Sequence, residues 1–204
     1  CTLRWNTYGN TNIAIGGLAL FCNLTGCANI ALGYEALMCN QGSNNIAIGC
    51  NTMFFNTGGG TNIAIGTSAL YGNITGSNNV SIGDNALFAN ITGRYNTAVG
   101  KGALRNNIGD QNTAVGNSAL VTNSYGQYNT AVGVSALSVN TGTDNTAVGW
   151  QSLYSNTTGY NNTTLGFSTL YSLTTGLNNI AVGVNALYTK KVGNGETAVG
   201  AYAL

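Results

Sequence analysis

The chain has 204 residues, only 5% of them charged, and a net charge of +1. Ordinary soluble domains carry about 25% charged residues, so this surface has to be built largely from uncharged groups. A near-neutral chain excludes a nucleic-acid surface, which needs concentrated basic charge, and no apolar run is long enough for a transmembrane helix.

Residues 1–8 form the tail of a preceding repeat. From Gly9 to Leu204 one pattern runs without a linker or composition break, so residues 9–204 are a single repeat domain. Its unit is Gly-x-x-Asn-(Thr/Ile)-Ala-(Val/Ile)-Gly-x-x-Ala-Leu-x-x-Asn-x-Thr. The second glycine of the unit recurs as Gly16, Gly33, Gly49, Gly66, Gly83, Gly100, Gly116, Gly133, Gly149, Gly166, Gly183 and Gly200, always 16 or 17 residues apart. Its partner precedes it by seven residues without exception, from Gly9 to Gly193, so every one-residue deletion falls in the other half of the unit. A fixed period of this kind marks a solenoid. Because the chain opens at Cys1, with neither a methionine nor an apolar leader, it is expected to be a segment of a longer protein.

Within each unit, a β-branched residue, a small one and another aliphatic one precede the turn glycine, as in Thr97-Ala98-Val99. This period-two alternation predicts a short strand. Early rungs carry Ile at the first of these positions (Ile13, Ile30, Ile46, Ile63) and most later ones Thr (Thr97, Thr113, Thr130, Thr146, Thr163, Thr197). Four residues after the glycine the column is Leu, with Met53 the one exception, which predicts a second buried strand or corner facing the first. The regular aliphatic columns are expected to be buried, which argues against disorder. The recurrent glycines would interrupt any helix. The expected fold is therefore all-β, a parallel β-solenoid of about twelve rungs with two short strands each.

Asparagine fills two further columns. Four residues before the glycine stand Asn12, Asn29, Asn45, Asn62, Asn79, Asn96, Asn112, Asn129, Asn145, Asn162 and Asn179, broken by Glu196. Seven residues after it the column is again Asn, except at Leu173 and Lys190. Identical amides on successive rungs can hydrogen-bond along the axis as a ladder, and Asn also tolerates left-handed turns.

The Asn-(Thr/Ile)-Ala-(Val/Ile)-Gly…Ala-Leu pattern resembles the head repeats of trimeric autotransporter adhesins. It is also similar to the Asn-Thr-Ala-Val-Gly-x-x-Ala-Leu-x-x-Asn-Thr-Thr-Gly repeats of tail-fibre-like proteins from phages, large viruses and bacteria. Residues 145–159 match the latter with Ser152 in place of Ala. The resemblance covers nearly the whole chain. It implies a left-handed β-roll wound as a homotrimer, placed outside the cell, on its surface or on a virion appendage, with a host-surface glycan or protein as receptor. The period is longer than adhesin heads commonly show, and these 204 residues include no stalk, anchor or chaperone domain.

Chemistry has little to work with. There is no histidine, and the five carboxylates are scattered through the repeat, so no nucleophile has an activating base and no cofactor or metal is expected. Cys22 and Cys39 share a column on consecutive rungs, where either a disulfide or two stacked thiols fits the ~4.8 Å spacing. Aromatics recur five after the glycine (Phe21, Phe54, Tyr71, Phe88, Tyr154, Tyr171, Tyr188) as a stacking row, a subunit contact or a carbohydrate stripe. Asn-x-Ser/Thr sequons occur at Asn23, Asn73, Asn90, Asn156, Asn161 and Asn162. Two charge pairs occupy shared columns: Asp84 with Lys101, and Arg94 with Asp110. Each pair should lie one rung apart on one face, provided the extra residue of longer rungs bulges after the Leu column.

These readings predict a non-enzymatic, stiff fibre segment of roughly 55 Å that supports attachment to a host or surface. Self-association, as a homotrimer, would cover the poorly charged surface, with the Ala98, Ala114, Ala131 and Ala147 column admitting close approach. The segment has no nucleic-acid partner and inserts in no membrane. The alternative is an ice-binding solenoid using the later Thr column; the uneven spacing, the early Ile rungs and the scarcity of Thr-x-Thr pairs count against it.

Overall fold

Three residues per rung, Ile-Ala-Ile or Thr-Ala-Val, are enough for one strand, and the chain repeats that strand twelve times along an axis. The computed structural model describes residues 2–204. Its strands are β1 (Ile13–Ile15), β2 (Ile30–Leu32), β3 (Ile46–Ile48), β4 (Ile63–Ile65), β5 (Val80–Ile82), β6 (Thr97–Val99), β7 (Asn106–Asn107), β8 (Thr113–Val115), β9 (Thr122–Asn123), β10 (Thr130–Val132), β11 (Thr146–Val148), β12 (Thr163–Leu165), β13 (Ile180–Val182) and β14 (Thr197–Val199). All but β7 and β9 form one twelve-stranded parallel sheet in chain order, and β7 pairs with β9 in a separate two-stranded sheet. The fold is an all-β parallel solenoid.

Register is strict. Ala14 lies beside Ala31, Ala98 beside Ala114, and Ala131 beside Ala147. The pairing of Thr130 with Thr146 spans 16 residues and that of Thr113 with Thr130 spans 17, without a slip. The spare residue lies just before the first glycine of the unit. Asn73 Nδ2 reaches the carbonyl of Gly76 across two intervening residues, whereas Asn107 Nδ2 reaches that of Gly109 across one.

The face opposite the strands is not a second regular strand. From Ala19-Leu20 to Ala186-Leu187 the Ala-Leu segment is a turn in every rung, and only β7 and β9, which start two residues beyond the leucine, reach strand geometry on this side. Gly100 O accepts the N–H of Ala103 at 3.2 Å, closing a turn whose third residue, Gly102, has φ +66. That is the left-handed position of a type II turn. Leu104 then adopts φ +50, and the residues of the same column from Leu20 to Leu187, Met53 among them, are left-handed as well. A left-handed backbone costs a non-glycine residue ~1–2 kcal/mol. Full burial of the leucine side chain returns ~1.5–3 kcal/mol, and the Leu104 N–H still donates to Ala119 O on the next rung at 3.0 Å. Burial wins, so the column keeps leucine in a conformation leucine avoids.

The interior has two halves. One is apolar, made of the strand alanines and the Ala-Leu corner, all fully buried in the central rungs. The other is the two asparagine columns, equally buried. The expectation that the aliphatic strand residues are buried is overturned. In β4 the inward residue is Ala64, while Ile63 and Ile65 are each 37% exposed. The leucine column fills the thin interior, leaving room for only a methyl group from the sheet.

Candidate functional site

Two amide ladders run inside the rod. In the column of Asn96, each side chain bridges three rungs. Its Nδ2 donates to Asn79 Oδ1 on the rung before at 3.2 Å and to Gly109 O on the rung after at 2.9 Å, while its Oδ1 accepts the backbone N–H of Asn112 at 3.0 Å. In the column of Asn73, Nδ2 donates to Asn56 Oδ1 at 2.7 Å and to Gly76 O at 2.9 Å. The ladders converge, because Gly76 O also accepts Asn62 Nδ2 at 2.9 Å. This convergence accounts for the invariant first glycine. A Cβ at Gly93 would stand 2.6 Å from Gly109 O and crowd the amides of Asn90 and Asn96.

The exceptions to the columns, which sequence reasoning left unconnected, are coupled in space. Lys190 and Glu196 each replace an asparagine, in different columns, and Lys190 Nζ meets Glu196 Oε1 at 2.7 Å. Among the described residues this is the one ion pair. The signal in the sequence was two exceptions six positions apart, the pair of places where the two columns meet across adjoining rungs. At the third exception, Leu173, the second ladder stops, and Asn156 Oδ1 is left buried without a partner. A further buried network also went unread: Ser152, Thr164 and Thr169 replace alanines, and Ser152 Oγ lies 2.7 Å from each of the two threonine hydroxyls.

The outer face of the sheet carries two columns of mostly β-branched residues, half-buried or exposed, along its length. Ile15, Ile48, Ile65, Ile82, Val115 and Leu165 are between 37% and 61% exposed. Beside them in the later rungs stands an apolar ridge of Val134, Trp150, Phe167 and Val184, all exposed, with Trp150 and Phe167 stacked at 4.6 Å. Alanines do not line this face. Ala98, Ala114, Ala131 and Ala147 have no exposed area, so the small-residue route to close subunit approach is corrected: that column faces the rod's own interior.

Asp84 and Lys101 stand on consecutive rungs, with the Gly102 N–H donating to Asp84 O at 2.9 Å, and the same holds for Arg94 and Asp110. Neither pair closes as an ion pair. Asp84 Oδ1 accepts the N–H of Thr67 at 3.1 Å, and Asp110 Oδ1 accepts the N–H of Arg94 itself at 2.7 Å. A short carboxylate gains a charge-assisted bond from a backbone donor already in place, with little side-chain entropy to lose.

Cys22 and Cys39 are free thiols rather than a disulfide, as are Cys27 and Cys50. Burial, and then the neighbouring Cys22, push the Cys39 thiol above its ordinary range. Tyr34 is also raised, by its hydrogen bond and charge contact with Glu35. The aromatic column forms two stacks, Phe54–Tyr71–Phe88 at 5.4 and 5.2 Å and Tyr154–Tyr171–Tyr188 at 5.1 and 5.2 Å. Within each stack the rings face one another, so the column presents ring edges rather than a row of open faces. Of the sequon asparagines, Asn23, Asn73, Asn90, Asn156 and Asn162 are fully buried ladder members, and only Asn161 is exposed.

Among the described residues no cluster of His, Cys, Asp or Glu could hold a metal ion, and no helix is long and apolar enough to cross a membrane. No protein-family model, curated protein or solved structure matches the chain.

Proposed function

We propose that this chain is a non-enzymatic segment of a fibre, in which copies of the same chain pack through the outer face of the sheet. The observation that carries this reading is the apolar character of that face. A single chain leaves two columns of Ile, Leu, Val and Thr exposed, and Trp150 and Phe167 continue them sideways. Contiguous apolar patches beyond a few hundred Å² mark interaction surfaces. Twelve strands at ~4.8 Å extend the face over roughly 53 Å, and identical chains present the same face to one another, as a symmetric assembly uses. A homotrimer is the assembly to which the repeat's resemblance to adhesin heads and tail fibres points. The role that follows is mechanical. A rod braced by amide ladders over most of its length resists bending and holds an attachment end away from the surface that bears it, outside a cell or on a virion.

Sedimentation equilibrium of the full chain tests the reading, with Ile65→Lys and Val148→Lys as variants. Both side chains point outward in the single chain, so the rod should fold while the assembly falls to monomers. A wild-type chain that stays monomeric at micromolar concentration would overturn it.

One observation favours a second reading, an ice-binding face. Thr97, Thr113, Thr130, Thr146 and Thr163 lie in unbroken register, so the uneven repeat length does not disturb the array. The Trp150–Phe167 ridge interrupts the flatness that ice requires. Clear thermal hysteresis would favour this reading over the fibre.

A further inference from the structure

Two of the six cationic side chains, Lys101 and Arg105, share one corner of the rod. Both are exposed, and neither joins an ion pair among the described residues. Between them Gly102 occupies a column that holds Asn85 on the rung before and Ser118 on the rung after. A Cβ at Gly102 would meet nothing closer than Ser118 Oγ at 3.9 Å. The missing side chain leaves a recess of about 320 Å³ lined by Asn85, Lys101, Gly102, Arg105, Asn117, Ser118 and Val121. Two amides, a hydroxyl and two unpaired cations, with one valine, therefore surround one hollow. The carboxylate of the adjoining column, Asp84, is engaged by the N–H of Thr67 on the rung before.

Arg105 also belongs to the aromatic column. Its guanidinium carbon lies 5.7 Å from the ring centre of Phe88 and ends the Phe54–Tyr71–Phe88 stack. Such a contact holds a guanidinium in place while leaving its N–H donors free. Beyond Phe88 lies an apolar groove of about 410 Å³, opened by Gly72 and Ala89 where the preceding rung carries Phe55. Arg105 thus adjoins a polar, cationic recess and, through Phe88, an apolar groove.

We propose that this corner binds an anionic saccharide. A carboxylate or sulfate group sits in the recess between Lys101 and Arg105, and the C–H face of the adjoining sugar lies in the groove beside Phe88. The guanidinium supplies paired N–H donors to a planar or tetrahedral anion, and Lys101 adds a point charge. An apolar wall with a few convergent polar groups is the usual form of a small-ligand site. The site is complete on one chain, so it does not rest on the assembly of copies.

Isothermal titration of the full chain tests this with four probes: a heparin-type sulfated hexasaccharide, a galacturonate hexamer, neutral maltohexaose and sodium sulfate alone. At least one charged oligosaccharide should bind, and which one does separates a sulfate ligand from a carboxylate one. Maltohexaose should not bind. Arg105→Gln and Gly102→Gln should each weaken binding about tenfold or more, the effect of losing one charge-assisted contact or its space. Gln151 already stands in the Gly102 column at φ +50, so the second variant fills the recess without changing the backbone. Lys191→Gln, remote from the corner, should bind as the parent does. No binding by either charged oligosaccharide, sulfate bound as tightly as the sugar, or undiminished affinity in both corner variants would overturn the proposal.

Discussion

Truncating one rung of the second ladder, Asn73→Ala, measures what the buried amides contribute. Three groups lose a bond. Asn56 Oδ1 loses its donor at 2.7 Å and is left with none, Gly76 O keeps Asn62 Nδ2, and Asn90 Nδ2 keeps Gly93 O at 3.0 Å. One orphaned buried acceptor costs ~1–3 kcal/mol and two half-satisfied groups add ~0.5–1 kcal/mol each, a total of about 2–5 kcal/mol. Asn73→Leu fills the space and leaves the same orphan that Asn156 Oδ1 already presents beneath Leu173, so its loss should lie at the lower end of that range. Asn73→Asp replaces the donor with a charge facing two acceptors and should be the worst of the three at neutral pH. Burial raises that carboxyl's folded-state pKa, so the lost stability returns as pH falls through the raised value and is fully restored by the ordinary aspartate value of ~3.9. Equilibrium urea denaturation gives the magnitudes, and amide exchange across rungs 56–90 shows whether the loss is local, as a one-dimensional array allows. A cost for Asn73→Ala no larger than for Asn117→Ala, at an exposed position, would refute the view that the ladders hold the rod together.

Other outcomes follow from the same geometry. Gly100→Ala should destabilise severely, since φ is +130 and a Cβ would stand 2.6 Å from Gly116 O, whereas Gly102→Ala should be tolerated; thermal melts of the two compare them directly. With a thiol-specific reagent at pH 8, exposed Cys50 should react first and Cys39 last among the described cysteines. Because the Cys39 thiol is raised, it favours the folded state below the ordinary thiol range, and that contribution is lost as pH climbs through the folded-state value. Cys39→Ala should flatten this alkaline fall, as denaturation at several pH values would reveal.

The period, the register and the ladders were legible in the residue columns, because a solenoid stacks equivalent positions and a mismatch on one rung repeats on none. The two column exceptions at Lys190 and Glu196 were visible as well, but their meeting was not, since the contact joins different columns across a turn. Alternation in Ile-Ala-Ile or Thr-Ala-Val shows that two kinds of side chain point opposite ways without saying which way is inward. Hydrophobicity favours burying Ile and Val, and the rod buries Ala. The tertiary structure decided this through volume, because the left-handed corner drives the leucine column into a narrow interior and leaves the sheet space for one small side chain per rung, Ala in most and Ser81 or Thr164 in two. That choice puts the larger aliphatic residues outside, and it turned the face expected to be core into an apolar outer surface.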